Sequence, residues 1–151
     1  MIGALFVGRE YTRYTEQRIA ELDGFVAFLN HAKSEISMYL TPVKGITRGF
    51  RNESLEKLGF ISAIESSGSL SYAFSECMDG LSVGGEAKEL LSECFSGFGQ
   101  GYKEQELSRI ERYAVRLEKM LESEREELPK NAKMVSTLLL AGAVGIFILL
   151  L

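Results

Sequence analysis

The chain has 151 residues, 46% of them hydrophobic and 25% charged, a balance that fits one folded unit and excludes a disordered tail. Its net charge of -4 excludes broad attraction to nucleic acid, which needs an excess of Lys and Arg to displace counterions from phosphates. Cys77 and Cys94 stand far apart and outside any CxxC pattern, so they support neither a zinc site nor a disulfide framework and read as two reduced, buried thiols.

The first element, residues 1–14, opens on "MIGALFVG", eight uncharged residues before Arg9 and Glu10. As a helix those eight reach about 12 Å, less than half a bilayer. Three readings stay open: a truncated or interfacial anchor, with Arg9, Tyr11, Arg13 and Tyr14 in a headgroup zone; a helix extension packed on the terminal segment; or a true start upstream.

From Thr15 to Leu40, apolar residues at Ile19, Leu22, Val26, Leu29, Ile36 and Leu40 form one stripe of a long helix, widened by Phe25, Phe28, Ala32 and Tyr39. Glu16, Gln17, Arg18, Glu21, Asp23 and Asn30 fill its polar positions. Pro42 restricts Thr41 to an extended conformation and ends the helix, with Thr41 as the expected N-cap of the next one.

The middle is a series of short helices. "TPVKGITRGF" reads as one; "NESLEKLGF" is another, capped by Asn52 and stopped or bent by Gly59. "SSGS" is a loop, "LSYAFSECM" a helix, "DGLSVGG" a break and "EAKELLSECF" a helix ended by "GFGQG". In the last long segment, Tyr102 to Leu128, the residues Leu107, Ile110, Ala114, Leu117, Leu121 and Leu128 keep a three-four spacing, broken only by Glu124, among alternating charges, the pattern of a solvated helix face. Pro129 marks a break, and residues 129–133 read as a basic juxtamembrane linker.

Residues 134–151 carry no charge, and 14 of the 18 are Ala, Val, Ile, Leu, Met or Phe. Their helical length of about 27 Å approaches the roughly 30 Å hydrocarbon slab, which predicts a transmembrane helix. Lys130 and Lys133 precede it, so the positive-inside tendency keeps residues 15–128 cytoplasmic. Ala141, Gly142 and Gly145 are candidate packing residues for self-association in the membrane, because small side chains let helices approach closely. The predicted fold is all-α: a cytoplasmic bundle of about six helices framed by two long ones, plus the C-terminal transmembrane helix.

Signs of catalysis are weak. His31 and Glu35 share a helix face and could begin a metal site, but no HExxH or second ligand pair completes one. "GFGQG" lacks a phosphate-loop spacing, and the serines form no GxSxG elbow. No enzyme, cofactor or metal is predicted.

Several pieces have a more specific pattern: Glu35-Ile36 with Tyr39 and Thr41-Pro42, Gly99 followed by Gln105 at the start of the last long helix, and the ending "AKMVSTLLLAGAVGIFILLL". With the order of helices they resemble the stage III sporulation protein AB family over most of the chain. The chain departs from that family in its shortened apolar start and in "GQGYKE", which stands where a Ser-Asp pair often precedes the glutamine. The resemblance implies a non-enzymatic platform similar to that of type II secretion and type IV pilus machines. It also implies a place in the mother-cell membrane facing the forespore, single-pass or one-and-a-half-pass. The implied partners are a stage III sporulation protein AA-like ATPase and other channel-complex membrane proteins; the alternative reading of the chain is a tail-anchored structural protein that self-associates with further copies as a homo-oligomer through its membrane helix. The face expected to meet a partner carries Lys44, Arg48 and Arg51 after the Thr41-Pro42 turn, together with exposed charges of the last long helix.

Overall fold

Two long helices frame the molecule: α1, Ile2–Tyr39, of 38 residues, and α7, Lys103–Leu150, of 48. The computed structural model describes the backbone of residues 2–39, 42–99 and 101–150, and their side chains except at 2–8, 11, 12, 39 and 128–147. Between the long helices lie α2 (Val43–Ile46), α3 (Glu53–Lys57), α4 (Phe60–Ser67), α5 (Leu70–Cys77), a 3-10 turn at Met78–Gly80 and α6 (Gly85–Ser96). The described residues contain no strand, and the fold is all-α.

The long helices run antiparallel. Arg18 of α1 pairs with Glu124 of α7, while Lys33, about four turns further along α1, pairs with Glu111 at 3.3 Å. Asp23 and Arg125 make a third link at 3.3 Å. These charges lie beside the seam; what holds it is apolar burial, with Leu22, Phe25, Val26, Phe28, Leu29 and Ala32 of α1 closed off together with Ile110, Ala114, Leu117 and Leu121 of α7.

Phenylalanines from five different segments meet at the centre. The Phe25 ring lies 5.3 Å from Phe60 and 5.9 Å from Phe74, edge to face in both cases, and Phe28 meets Phe50 and Phe60 the same way at 5.5 and 5.3 Å. Phe95 of α6 closes the group at 5.4 Å from both Phe60 and Phe74. Such pairs add about 0.5–1.5 kcal/mol each beyond the area they bury. Of the positions expected to widen the stripe of α1, Phe25, Phe28 and Ala32 are its centre, and Ile19 and Ile36 are its partly buried margins; the side chains of Tyr39 and Leu40 lie outside the described residues. The reason is that α1 is covered from two sides, by α7 and by the short helices, so its apolar arc has to be broad.

Local signals place the short helices. Asn52 Oδ1 accepts from Leu55 N at 3.1 Å and starts α3; Ser69 Oγ accepts from Tyr72 N at 3.2 Å and starts α5. Gly59, with φ of 80°, adopts the left-handed turn between α3 and α4.

Three boundaries differ from the sequence reading. Helix α1 already begins at Ile2, so the backbone of residues 2–14 runs on into residues 15–39 without a break, elongation of a formed helix being easy. Pro42, with φ -65° and ψ 157°, is the N-cap of α2, and Thr41 lies outside the described residues. The backbone of α7 stays helical through residues 129–133, where a break at Pro129 was expected. Proline removes one N–H from the ladder, and the remainder of a 48-residue helix continues past it.

Among the described residues no helix is long and apolar enough to cross a membrane. The expected span falls mostly on positions whose side chains lie outside that set; of the described ones, Ile148, Leu149 and Leu150 are 66–87% exposed.

Candidate interaction site

The turn after α1 carries the three cations singled out from the sequence. Its inner side is fixed: His31 Nε2 donates to the Ile46 carbonyl at 2.8 Å, and Phe50 packs on both the His31 and Phe28 rings, at 5.3 and 5.5 Å. The buried Thr47 hydroxyl reaches Glu65 Oε1 at 3.3 Å. Its outer side presents Lys44, Arg48 and Arg51, all exposed. The Lys44 stem lies along Gly68, where a Cβ would stand 2.8 Å from its Cε. Arg51 pairs with Glu56 at 3.3 Å, and its side chain is 88% exposed. An exposed pair of that kind contributes little to stability, which leaves the guanidinium able to exchange partners. His31, held as a donor to a backbone carbonyl, packs as part of this turn. Among the described residues no three His, Cys, Asp or Glu side chains are grouped to hold a metal ion.

A second arrangement was not anticipated. Glu21, expected at a polar position, is 2% exposed, and its Oε2 accepts from Ser82 N at 2.8 Å and Val83 N at 3.2 Å. Tyr14 donates to the Ser82 carbonyl at 3.1 Å. Together they clip the segment before α6 onto α1. Burial pushes the Glu21 carboxyl above its ordinary range, opposed in part by the two backbone N–H groups. The signal in the sequence is register: Glu21 lies on the same i, i+4, i+7 stripe as Phe25 and Phe28. Beside the clip, Arg18, Leu22, Gly84, Gly85 and Lys119 line a groove of about 410 Å³. Arg18 is already committed there to Glu124.

The "GFGQG" segment proves to be a packing device as well as a helix stop. Arg109 of α7 donates to the Glu93 and Cys94 carbonyls at 2.7 and 2.9 Å, a cation on the open C-terminal end of α6. Its guanidinium occupies the space that a side chain at residue 97 would fill, so Gly97 is required for the approach. Gly99 takes a φ of 83°. On the other side of the turn the buried Glu106 accepts from Gly101 N at 3.2 Å, a carboxylate reaching back over the start of α7. Gln105 is exposed in the same first turn.

The remaining expected positions, Lys130, Lys133, Ala141, Gly142 and Gly145, belong to α7, and their side chains lie outside the described residues. Cys77 and Cys94 are free, buried thiols, as expected, and burial pushes them up to about 11 and about 12.

No curated protein and no solved structure matches this chain. A family model described as stage III sporulation protein AB matches residues 1–151. That match covers every segment from which the resemblance was drawn: the end of α1, the "GFGQG" turn with Gln105, and the apolar ending. The chain belongs to the stage III sporulation protein AB family.

Proposed function

We propose that this sporulation protein is a non-enzymatic platform held in the mother-cell membrane facing the forespore, with its helical bundle on the cytoplasmic side. The bundle docks a secretion-type ATPase similar to stage III sporulation protein AA and contacts other membrane proteins of the channel complex. Residues 134–151 form the anchor, entered from the cytoplasm behind Lys130 and Lys133. The exposed Ile148, Leu149 and Leu150 are apolar surface that a bilayer would cover.

One observation carries the docking reading. Lys44, Arg48 and Arg51 stand exposed on a turn whose inner side is fixed to α1, at the end of the antiparallel hairpin remote from residues 134–151. A rigid turn projecting exposed cations away from the anchor suits capture of a soluble acidic surface, by steering and by charge-assisted bonds. The test is purification of the tagged chain from membranes of sporulating cells, beside a K44E/R48E/R51E variant. The wild type brings down the ATPase and the variant does not. Recovery of neither the ATPase nor any channel component with the wild type refutes the proposal.

A further inference from the structure

The charges of α7 alternate along the sequence, yet the helix sorts them in space. With about 100° per residue, positions four and then three apart fall on one line. Arg112, Arg116 and Lys119 make one such line, and all three are exposed. Glu111, Val115, Glu118 and Glu122 make the neighbouring line, also exposed, roughly a quarter turn round the helix. The two lines overlap along the helix, the basic one covering about two turns and the acidic one about three.

This is not the arrangement a merely solvated helix favours. Opposite charges at i and i+4 stabilise an isolated helix, and like charges at that spacing oppose it. Here Arg112 and Arg116 are i, i+4 neighbours, and so are Glu118 and Glu122. Among the described residues, none of Arg112, Arg116, Lys119, Glu118 and Glu122 joins an ion pair; only Glu111 does, with Lys33. Val115, 43% exposed, is an apolar side chain within the acidic line.

We infer that α7 is a self-association surface, on which the basic line of one copy docks against the acidic line of the next. Two copies placed side by side with α7 parallel and level bring Arg112, Arg116 and Lys119 of one opposite Glu111, Glu118 and Glu122 of the other. The two lines carry three charges each, of opposite sign, and overlap over about two turns, which is the complementarity that sets partner choice at charged helical seams. The contact is heterologous, head to tail, so in a pair one copy keeps its acidic line free and the other its basic line, and the assembly grows beyond a dimer. The inference does not depend on the ATPase-docking turn, which lies elsewhere on the chain.

The test uses the full chain in non-ionic detergent, with association read by sedimentation. R112E/R116E and E118K/E122K alter only exposed positions, and circular dichroism checks that each variant keeps its helix. The wild type self-associates and weakens as salt rises; each variant alone associates about tenfold more weakly or worse. An equimolar mixture of the two variants restores wild-type association, because every contact in an alternating assembly again joins opposite charges. A wild type that stays monomeric at low salt, variants that associate as tightly as wild type, or a mixture no stronger than its components would each overturn the inference.

Discussion

Gly24 lies in the interior of α1, where alanine ordinarily stabilises a helix by about 0.5–1 kcal/mol relative to glycine. The structure reverses that sign. A Cβ at residue 24 would stand 2.7 Å from Asn52 Oδ1 and 3.1 Å from Leu55 Cγ. Asn52 Oδ1 is the acceptor that caps α3, and Leu55 is fully buried. Displacing the cap costs about 1 kcal/mol, and crowding a packed leucine costs about 1–3 kcal/mol more. Set against the helix gain, Gly24→Ala destabilises the chain by roughly 1–3 kcal/mol. The measurement is chemical denaturation of the full chain in detergent, followed by far-ultraviolet circular dichroism. A double-mutant cycle supplies the mechanism: Asn52→Ala alone costs about 1 kcal/mol, and in that background Gly24→Ala becomes less damaging by about the same amount. A higher midpoint for Gly24→Ala, or strict additivity with Asn52→Ala, would refute the proposed contact. Because Arg51 directly precedes Asn52, the same substitution disturbs the base of the cationic turn and should weaken ATPase recovery.

Three further outcomes follow from the clips and the core. The Glu21 carboxyl titrates above its ordinary range, so its contribution to stability is complete below the unfolded value and is lost as pH rises through the raised folded one. Glu21→Gln keeps an acceptor without the charge; it should equal or exceed wild type at neutral pH and lose that advantage in acid, read from denaturation midpoints across pH. Arg109→Ala removes both carbonyl contacts on the end of α6 and should cost about 2 kcal/mol, with Arg109→Lys recovering only part, since an ammonium lacks the planar fork. Cys77 and Cys94, buried and shifted to about 11 and about 12, should react with iodoacetamide at least ~100-fold more slowly in the native chain than in denaturant. Equal rates in the two conditions would contradict their burial.

Periodicity by itself determined the all-α class, the two long helices, the caps at Asn52 and the run of short helices between them, because each rests on spacing and chemistry within a few neighbouring residues. The absence of charge over residues 134–151 and the lysines before them are likewise properties of composition. Tertiary structure alone decided which apolar positions lead. Phe25 and Phe28 become the centre only because Phe50, Phe60, Phe74 and Phe95 converge on them from other parts of the chain. It also decided that Glu21 is an inward clip, since its partners, the Ser82 and Val83 amides, are about sixty residues away in sequence and no local rule brings them there. Gly97 could be read locally as a helix stop, but its second role depends on the path of Arg109 from α7. The charges of the last helix, which alternate when read in a line, part into a basic and an acidic stripe by helical periodicity alone, but only packing against α1 and α6 decides that both stripes face outward.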